Sequence, residues 1–210
     1  MTGHAFSTSD AKGWNARYDR PEHVFGTEPN AFLAAQAPRL VPGMKALAVA
    51  DGEGRNGVWL AGQGLNVLSV DASEVGLAKA QRLAAGCGVH ITTELADLAA
   101  WEWGHARFDV VVAIFIQFAG PALRKEMFAG MQRALKPGGL LILQGYRPEQ
   151  LTYGTGGPKQ IENLYDAELL RDAFAGMCIL HLSAHDDVLC EGEGHQGMSA
   201  LIDLVAQKDS

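Results

Sequence analysis

Apolar residues in this chain fall into short continuous runs separated by stretches of helical spacing, the alternation expected of a mostly parallel sheet covered by helices. Ala46–Ala50 is the first run, holding Val49, and Asn66–Val70 is the second, ending at Asp71. Between them lie a turn, Asp51-Gly52-Glu53-Gly54, and a helical stretch Arg55–Gly62 with Val58, Trp59 and Ala61, closed by Gly64. Strand, glycine loop, helix, strand and terminal acid make the opening of a parallel βαβ unit. Ser73 is an N-cap with Glu74 in the first turn, so Val75–Ala85 reads as a helix that Gly86-Cys87-Gly88 ends. Val89–Thr93 is β-branched and predicts a third strand. Phe108–Phe118 is almost wholly apolar, as a central strand buried on both faces must be.

Further on, Pro121 starts a helix through Leu135 whose Leu123, Met127, Met131 and Leu135 recur every fourth residue, a core stripe. A turn at Lys136-Pro137-Gly138-Gly139 leads into a strand at Leu140–Leu143. The segment Gln144–Pro158 is a long glycine-rich loop carrying Tyr146, Arg147 and Tyr153, and a loop of that length in a compact domain is a place to look for function. Asp166 caps a last helix to Ala175, stopped by Gly176. Two strand-like runs, Cys178–Leu189 and Gly197–Val205, have little between them but EGEGHQ. So short a connection holds no crossover helix, so the pair is antiparallel.

At the other end, residues 1–10 are polar and expected to fray. Lys12–Tyr18 can form a helical turn, and Asn30 is an N-cap for Ala31–Ala37 before Pro38 and Pro42 lead into the first strand. Trp14, Tyr18 and Phe25 either anchor this segment to the core or belong to a lid over a ligand, with Trp14, Arg17 and Asn30 facing it.

Composition narrows the picture. One domain is expected over residues 1–210, with 1–42 a cap segment, and 48% hydrophobic against 20% charged residues is an ordinary globular balance. A net charge of −7 disfavours nucleic acid as a partner. No apolar run reaches membrane-span length, and MTGHAFSTSD lacks the pattern of a secretion signal, so a cytoplasmic protein is expected. Cys87, Cys178 and Cys190 form no C-x-x-C pair. Of seven histidines only His181 and His185 stand in helical register, and they fall in a predicted strand; no metal is expected. Nucleophile-elbow and Walker motifs are absent from the sequence.

Gly52, Gly54 and Gly57 spell G-x-G-x-x-G, and Asp71 stands near the offset of a ribose-binding acid, so a dinucleotide site must be weighed. Asp51 and Glu53 flank the glycines, and a pyrophosphate there would meet two carboxylates. A cationic ligand is favoured instead, and S-adenosylmethionine carries a sulfonium, an ammonium and a ribose but no phosphate.

The motifs WNARY (Trp14–Tyr18), FGTEPNAFL (Phe25–Leu33), ADGEGRN (Ala50–Asn56), VDAS (Val70–Ser73), LKPGG (Leu135–Gly139) and EGEGHQG (Glu191–Gly197) resemble the class I S-adenosylmethionine-dependent methyltransferases. The resemblance is especially to a bacterial branch akin to tellurite-resistance and thiopurine methyltransferase-like proteins. It implies an α/β, Rossmann-like three-layer sandwich with a mostly parallel seven-stranded sheet and a C-terminal antiparallel hairpin. It further implies S-adenosylmethionine as cofactor and a small-molecule acceptor. Asp51, Gly52 and Gly54 would lie against the methionine portion, Asp71 on the ribose, and Asp97 near the adenine. Trp14, Arg17, Asn30, Asn56, Ala72, Ala96, Leu98 and Phe115 complete the expected cofactor set, with Gln117, Tyr146 and His195 on the acceptor side. The sequence departs from the family in carrying Ala48 and Ala50 at the end of the first strand, where an acid and a glycine are usual. That departure keeps open a non-catalytic cofactor-binding protein acting through a partner, and the literal glycine motif keeps open a nicotinamide-dependent oxidoreductase.

Overall fold

The computed structural model describes residues 11–210, so the polar residues 1–10 lie outside the described residues. Seven strands form one sheet: β1 Lys45–Val49, β2 Asn66–Asp71, β3 Thr92–Leu95, β4 Phe108–Ile114, β5 Leu135–Tyr146, β6 Met177–Glu191 and β7 His195–Lys208. Their order is β3-β2-β1-β4-β5-β7-β6. β1 pairs in parallel with both β2 and β4, β2 with β3 and β4 with β5, whereas β7 runs antiparallel between β5 and β6. The expected fold class and terminal hairpin are what the chain adopts. Strand order reverses at β1, so the crevice beyond the C-terminal ends of β1 and β4 is where such a sheet accepts a ligand.

Helices α1 Ala11–Tyr18 and α2 Ala31–Ala35 belong to the cap segment; α3 Arg55–Gly62, α4 Glu74–Gly86, α5 Pro121–Ala134, α6 Gln150–Tyr153 and α7 Ala167–Ala173 follow. The expected caps are present: Asn30 Oδ1 accepts from Leu33 N–H, Ser73 Oγ from Gly76 N–H, and Asp166 Oδ1 from Leu169 N–H. One core cluster includes Leu47, Val111, Met127, Met131 and Phe174; another on the opposite face includes Leu33, Ala48, Val58, Ala80 and Ile142. The methionine stripe of α5 is therefore core.

Several boundaries differ from the sequence pattern, four of them for a plain physical reason. β3 begins at Thr92, because Val89 N–H still bonds to Ala84 O and closes α4. β4 stops at Ile114, because Phe115 takes a left-handed backbone (φ +54°) that turns the chain out of the sheet. β5 starts at Leu135, paired with Phe108, and absorbs the expected Lys136–Gly139 turn in an irregularity around Gly138 (φ +74°). The presumed loop 144–158 holds the end of β5 and α6, so only its second half is irregular.

Gly54 controls how closely α3 and α4 approach. Its φ is +87°, and an added methyl group would lie 2.4 Å from Ala80 Cβ and 2.8 Å from Ala80 Cα. Gly54→Ala is expected to cost about 2–4 kcal/mol, from left-handed strain and overpacking together. Urea unfolding measures this, and a loss under about 1 kcal/mol would mean that the two helices part easily.

Candidate functional site

A cavity of about 380 Å³ opens at the reversal point, between the glycine loop, the end of β4, the cap segment and the β6–β7 turn. Its acidic end begins with Asp71 at the end of β2. Asp71 Oδ2 accepts from Gly52 N–H at 2.8 Å and Oδ1 from Ser73 N–H at 2.8 Å, so one carboxylate ties the two loops together. Burial raises its pKa, and the backbone donors partly offset the rise. Asp51 lies beside it, with Oδ2 accepting from Ser69 Oγ at 2.8 Å and Oδ1 from Gly57 N–H at 3.2 Å. The carboxylate approaches Gly57 closely, since an added methyl group there would stand 2.4 Å from Asp51 Oδ2 and push it aside. Burial pushes the Asp51 carboxyl up to about 7, with Asp71 adding repulsion and Ser69, Gly57 and Arg55 pulling it back. Asp51 forms no ion pair among the described residues.

Glu53 corrects the expected electrostatics. It does not face the cavity: its side chain is 3% exposed and pairs with Lys79 Nζ at 2.5 Å. Its Oε2 accepts from Val24 N–H at 2.7 Å, while Lys79 Nζ donates to the carbonyls of Tyr18, Arg20 and Glu22. Glu53 and Lys79 therefore clamp the cap segment to the sheet. The case against a pyrophosphate rests on Asp51 and Asp71 instead.

The cap closes one side. Trp14 stacks on Tyr18 at 5.4 Å, and the Arg17 guanidinium lies 5.2 Å from the Trp14 ring centre and 5.1 Å from that of Phe25. Asn15 Oδ1 accepts from Ser73 Oγ at 2.6 Å, joining α1 to the loop that follows β2. Tyr18 is buried against Gly52, where an added methyl group would be 2.6 Å from its hydroxyl oxygen. Burial and the nearby carboxylates Asp71 and Glu53 raise its pKa and keep it neutral.

The β6–β7 turn closes the other side. Glu191 Oε2 pairs with Arg55 Nη2 at 2.7 Å, and Oε1 accepts from Asn30 Nδ2 and Ala31 N–H at 3.0 and 3.1 Å. Burial alone would raise its carboxyl, but the Arg55 guanidinium and the Ala31 N–H outweigh that and hold it well below the usual carboxylate range. His195 is buried at 8% exposed, and its ring stands 4.3 Å from Phe115 and 4.5 Å from Phe25. Its Nδ1 is 3.9 Å from Glu191 Oε2, beyond hydrogen-bond reach. Burial lowers its pKa, Arg55 and Arg17 add to that, and Glu191 opposes, so the ring is neutral at pH 7. Tyr146 stacks on Phe115 at 4.6 Å, and burial together with Glu191 raises its pKa. Gly194 N–H bonds to Val24 O and Arg20 pairs with Glu193, so cap and hairpin turn meet over the cavity.

Of the residues expected at the site, Trp14, Arg17, Asp51, Gly52, Asn56, Asp71, Ala72, Leu98 and Phe115 line the cavity, as do Gln117, Tyr146 and His195. Four others stand outside its lining. Gly54 packs on Ala80, and Ala96 donates its N–H to Asp71 O. Asp97 Oδ1 accepts from Ala99 N–H. Asn30 is fully buried, with Nδ2 2.6 Å from Gln144 Oε1 and its backbone N–H on Asn56 Oδ1. Gln117 spends its amide on the backbone, with Nε2 donating to Tyr146 O and Asn163 O while Oε1 accepts from Tyr146 N–H, so it holds a loop. Phe25, weighed in the sequence as a lid residue, and the Gly156-Gly157-Pro158 turn of the glycine-rich loop also line the cavity, as does Arg55, which the sequence reading did not single out. Arg55 carried a signal, being a cation on the first turn of the helix after the glycine loop.

Residues 46–139 match a family described as a methyltransferase domain. An uncharacterized methyltransferase of Synechocystis sp. is 31% identical over 123 residues, 58% of this chain and 56% of the relative, so the match spans little more than half the relative's length. Solved structures share the fold at low identity. One from a study of the conversion of a disulfide bond into a thioacetal group during echinomycin biosynthesis aligns at TM-score 0.75 and 20% identity, over 95% of this chain and 91% of that one. TehB from Haemophilus influenzae aligns at TM-score 0.70 and 17% identity, over 86% and 62%. Magnesium protoporphyrin IX methyltransferase from Synechocystis PCC 6803 with bound SAH aligns at TM-score 0.64 and 19% identity, over 84% and 81%.

Proposed function

We propose that this chain, whose residues 46–139 match a family described as a methyltransferase domain, is a class I methyltransferase that binds S-adenosylmethionine in the cavity and methylates a small molecule. The observation that carries this reading is the acidic end of the cavity. Asp51 forms no ion pair among the described residues, and it stands beside an Asp71 whose oxygens retain lone pairs for ribose hydroxyls. That end suits a cationic nucleoside and repels a pyrophosphate. Asp71 would hold the ribose, Gly52 and Asp51 the amino-acid portion, and Leu98 and Phe115 the flat base. The cofactor supplies, when bound, a methyl group already activated on a positively charged sulfur.

The protein's own task is then alignment and the exclusion of water. Trp14, Tyr18, Phe25 and Phe115 provide an apolar enclosure that cap and hairpin turn complete. His195, neutral at pH 7, would accept a proton from an acceptor hydroxyl or thiol. Among the described residues no helix is long and apolar enough to cross a membrane.

Calorimetric titration with S-adenosylmethionine, S-adenosylhomocysteine and NADH tests the reading; binding of NADH alone would overturn it. Proton linkage adds a second readout. The folded state holds Asp51 at about 7, above its unfolded value near 3.9, so between those limits the native chain binds more protons than the unfolded one. Stability from this group is therefore full at low pH and declines as pH rises toward 7. A bound cation favours the ionised carboxylate, so affinity for S-adenosylmethionine is expected to rise with pH through about 7. Titration in buffers of different ionisation enthalpy should show proton release near pH 6.5 that disappears in Asp51→Asn. Equal proton release in that variant would remove Asp51 from the linkage.

A further inference from the structure

We infer that the methyl acceptor is a small, flat organic acid whose anionic group is held by Arg55 Nη1 and Tyr146 Oη. This rests on the reading of the cavity as a methyl-transfer site and adds the class of acceptor. Among the described residues three that line the cavity carry a buried polar atom without a hydrogen-bond partner: Arg55 Nη1 and Tyr146 Oη, which can donate, and His195 Nδ1, whose role depends on the tautomer. Arg55 is 6% exposed and Tyr146 1% exposed, so leaving either donor unmet is costly. Arg55 Nη2 is already committed to Glu191, which aims the guanidinium and leaves its second nitrogen free. Tyr146 remains a neutral phenol because burial raises its pKa, so it donates at any physiological pH. Both groups therefore ask for an acceptor of hydrogen bonds.

Charge selects an anion over a neutral carbonyl. Glu191 balances Arg55, and Arg17 has no acidic partner among the described residues, so this end of the cavity carries the surplus positive charge. The acids Asp51 and Asp71 are held on the glycine-loop side by Ser69, Gly57, Gly52 and Ser73, and Glu53 is matched by Lys79. Shape selects a flat body: the rings of Phe115 and Tyr146 are stacked at 28°, and those of Phe25 and His195 complete the wall. Gly157 lets the following loop lie directly on Tyr146, since an added methyl group would be 2.8 Å from its ring.

The test titrates the full chain, free and saturated with S-adenosylhomocysteine, with benzoate, benzamide and benzylamine. Benzoate is expected to bind at least about tenfold more tightly than benzamide, with benzylamine weakest. Tyr146→Phe keeps the stacked ring and should lose about tenfold in benzoate affinity with S-adenosylhomocysteine affinity unchanged. Arg55→Lys keeps the charge facing Glu191, removes the spare nitrogen, and should narrow the preference for benzoate over benzamide. Benzoate binding no better than benzamide, or an unaltered preference in both variants, overturns the proposal. Failure of S-adenosylhomocysteine to bind would instead strike the cofactor reading, while the anion preference is still measured on the free protein.

Discussion

Asp71→Ala is expected to weaken S-adenosylhomocysteine binding by at least about a hundredfold. The variant loses the acceptor of the Gly52 and Ser73 N–H groups, and with it the proposed ribose contact. Hydrogen bonds to a charged group contribute about 1.5–3 kcal/mol each, and every 1.4 kcal/mol is tenfold in affinity, so two such losses reach a hundredfold. Asp71→Asn retains one acceptor oxygen but sets an NH₂ group against one of the two backbone donors, so an intermediate loss of about tenfold is expected. Calorimetry gives both values, and circular dichroism reports whether the sheet persists. Unaltered affinity in a folded Asp71→Ala protein would remove the ribose assignment and with it the orientation proposed for the cofactor.

The largest expected effect on stability belongs to a residue remote from the chemistry. Lys79→Met should destabilise the chain by about 3–5 kcal/mol, because it leaves the carboxylate of Glu53 buried and unpaired. Three carbonyls of the cap segment, those of Tyr18, Arg20 and Glu22, lose their donor as well. Methionine keeps most of the stem volume, so the loss reports the charge rather than a void. The double replacement Lys79→Met with Glu53→Leu should recover part of the stability, the expected behaviour of a buried pair removed as a unit. Urea unfolding measures each variant, and limited proteolysis around residues 18–24 tests whether the cap has come free. A single variant within about 1 kcal/mol of the parent would show that the clamp is not what holds the cap.

Much of the architecture could be read before any coordinates. Burial on both faces makes a parallel strand apolar throughout, so β1, β2 and β4 announced themselves as runs. The few residues between Glu191 and His195 allow only an antiparallel return, which set the terminal hairpin. Most of the cavity residues were also legible, because the glycine loop and Asp71 are close in sequence and their roles follow from local backbone geometry. Boundaries were harder. Phe108–Phe118 looks like one strand because the residues beyond Ile114 are also apolar, yet Phe115 turns inward on a left-handed backbone that no hydrophobic pattern encodes.

What the sequence determined by itself is the βαβ order, the antiparallel hairpin and the glycine loop with its acid, all of which depend on neighbouring residues and on periodicity. Only the tertiary structure decided which charges face the ligand. Glu53 stands between two glycines and reads as part of the site, and Lys79 lies on a helix whose pattern gives no sign of burial. The fold sets them against each other at 2.5 Å and removes both from the cavity. Arg55, Glu191 and Tyr146 come from α3, the end of β6 and the end of β5, and converge only once the sheet is formed. Charge pairing between distant segments depends on distances through space, which separation along the chain does not carry.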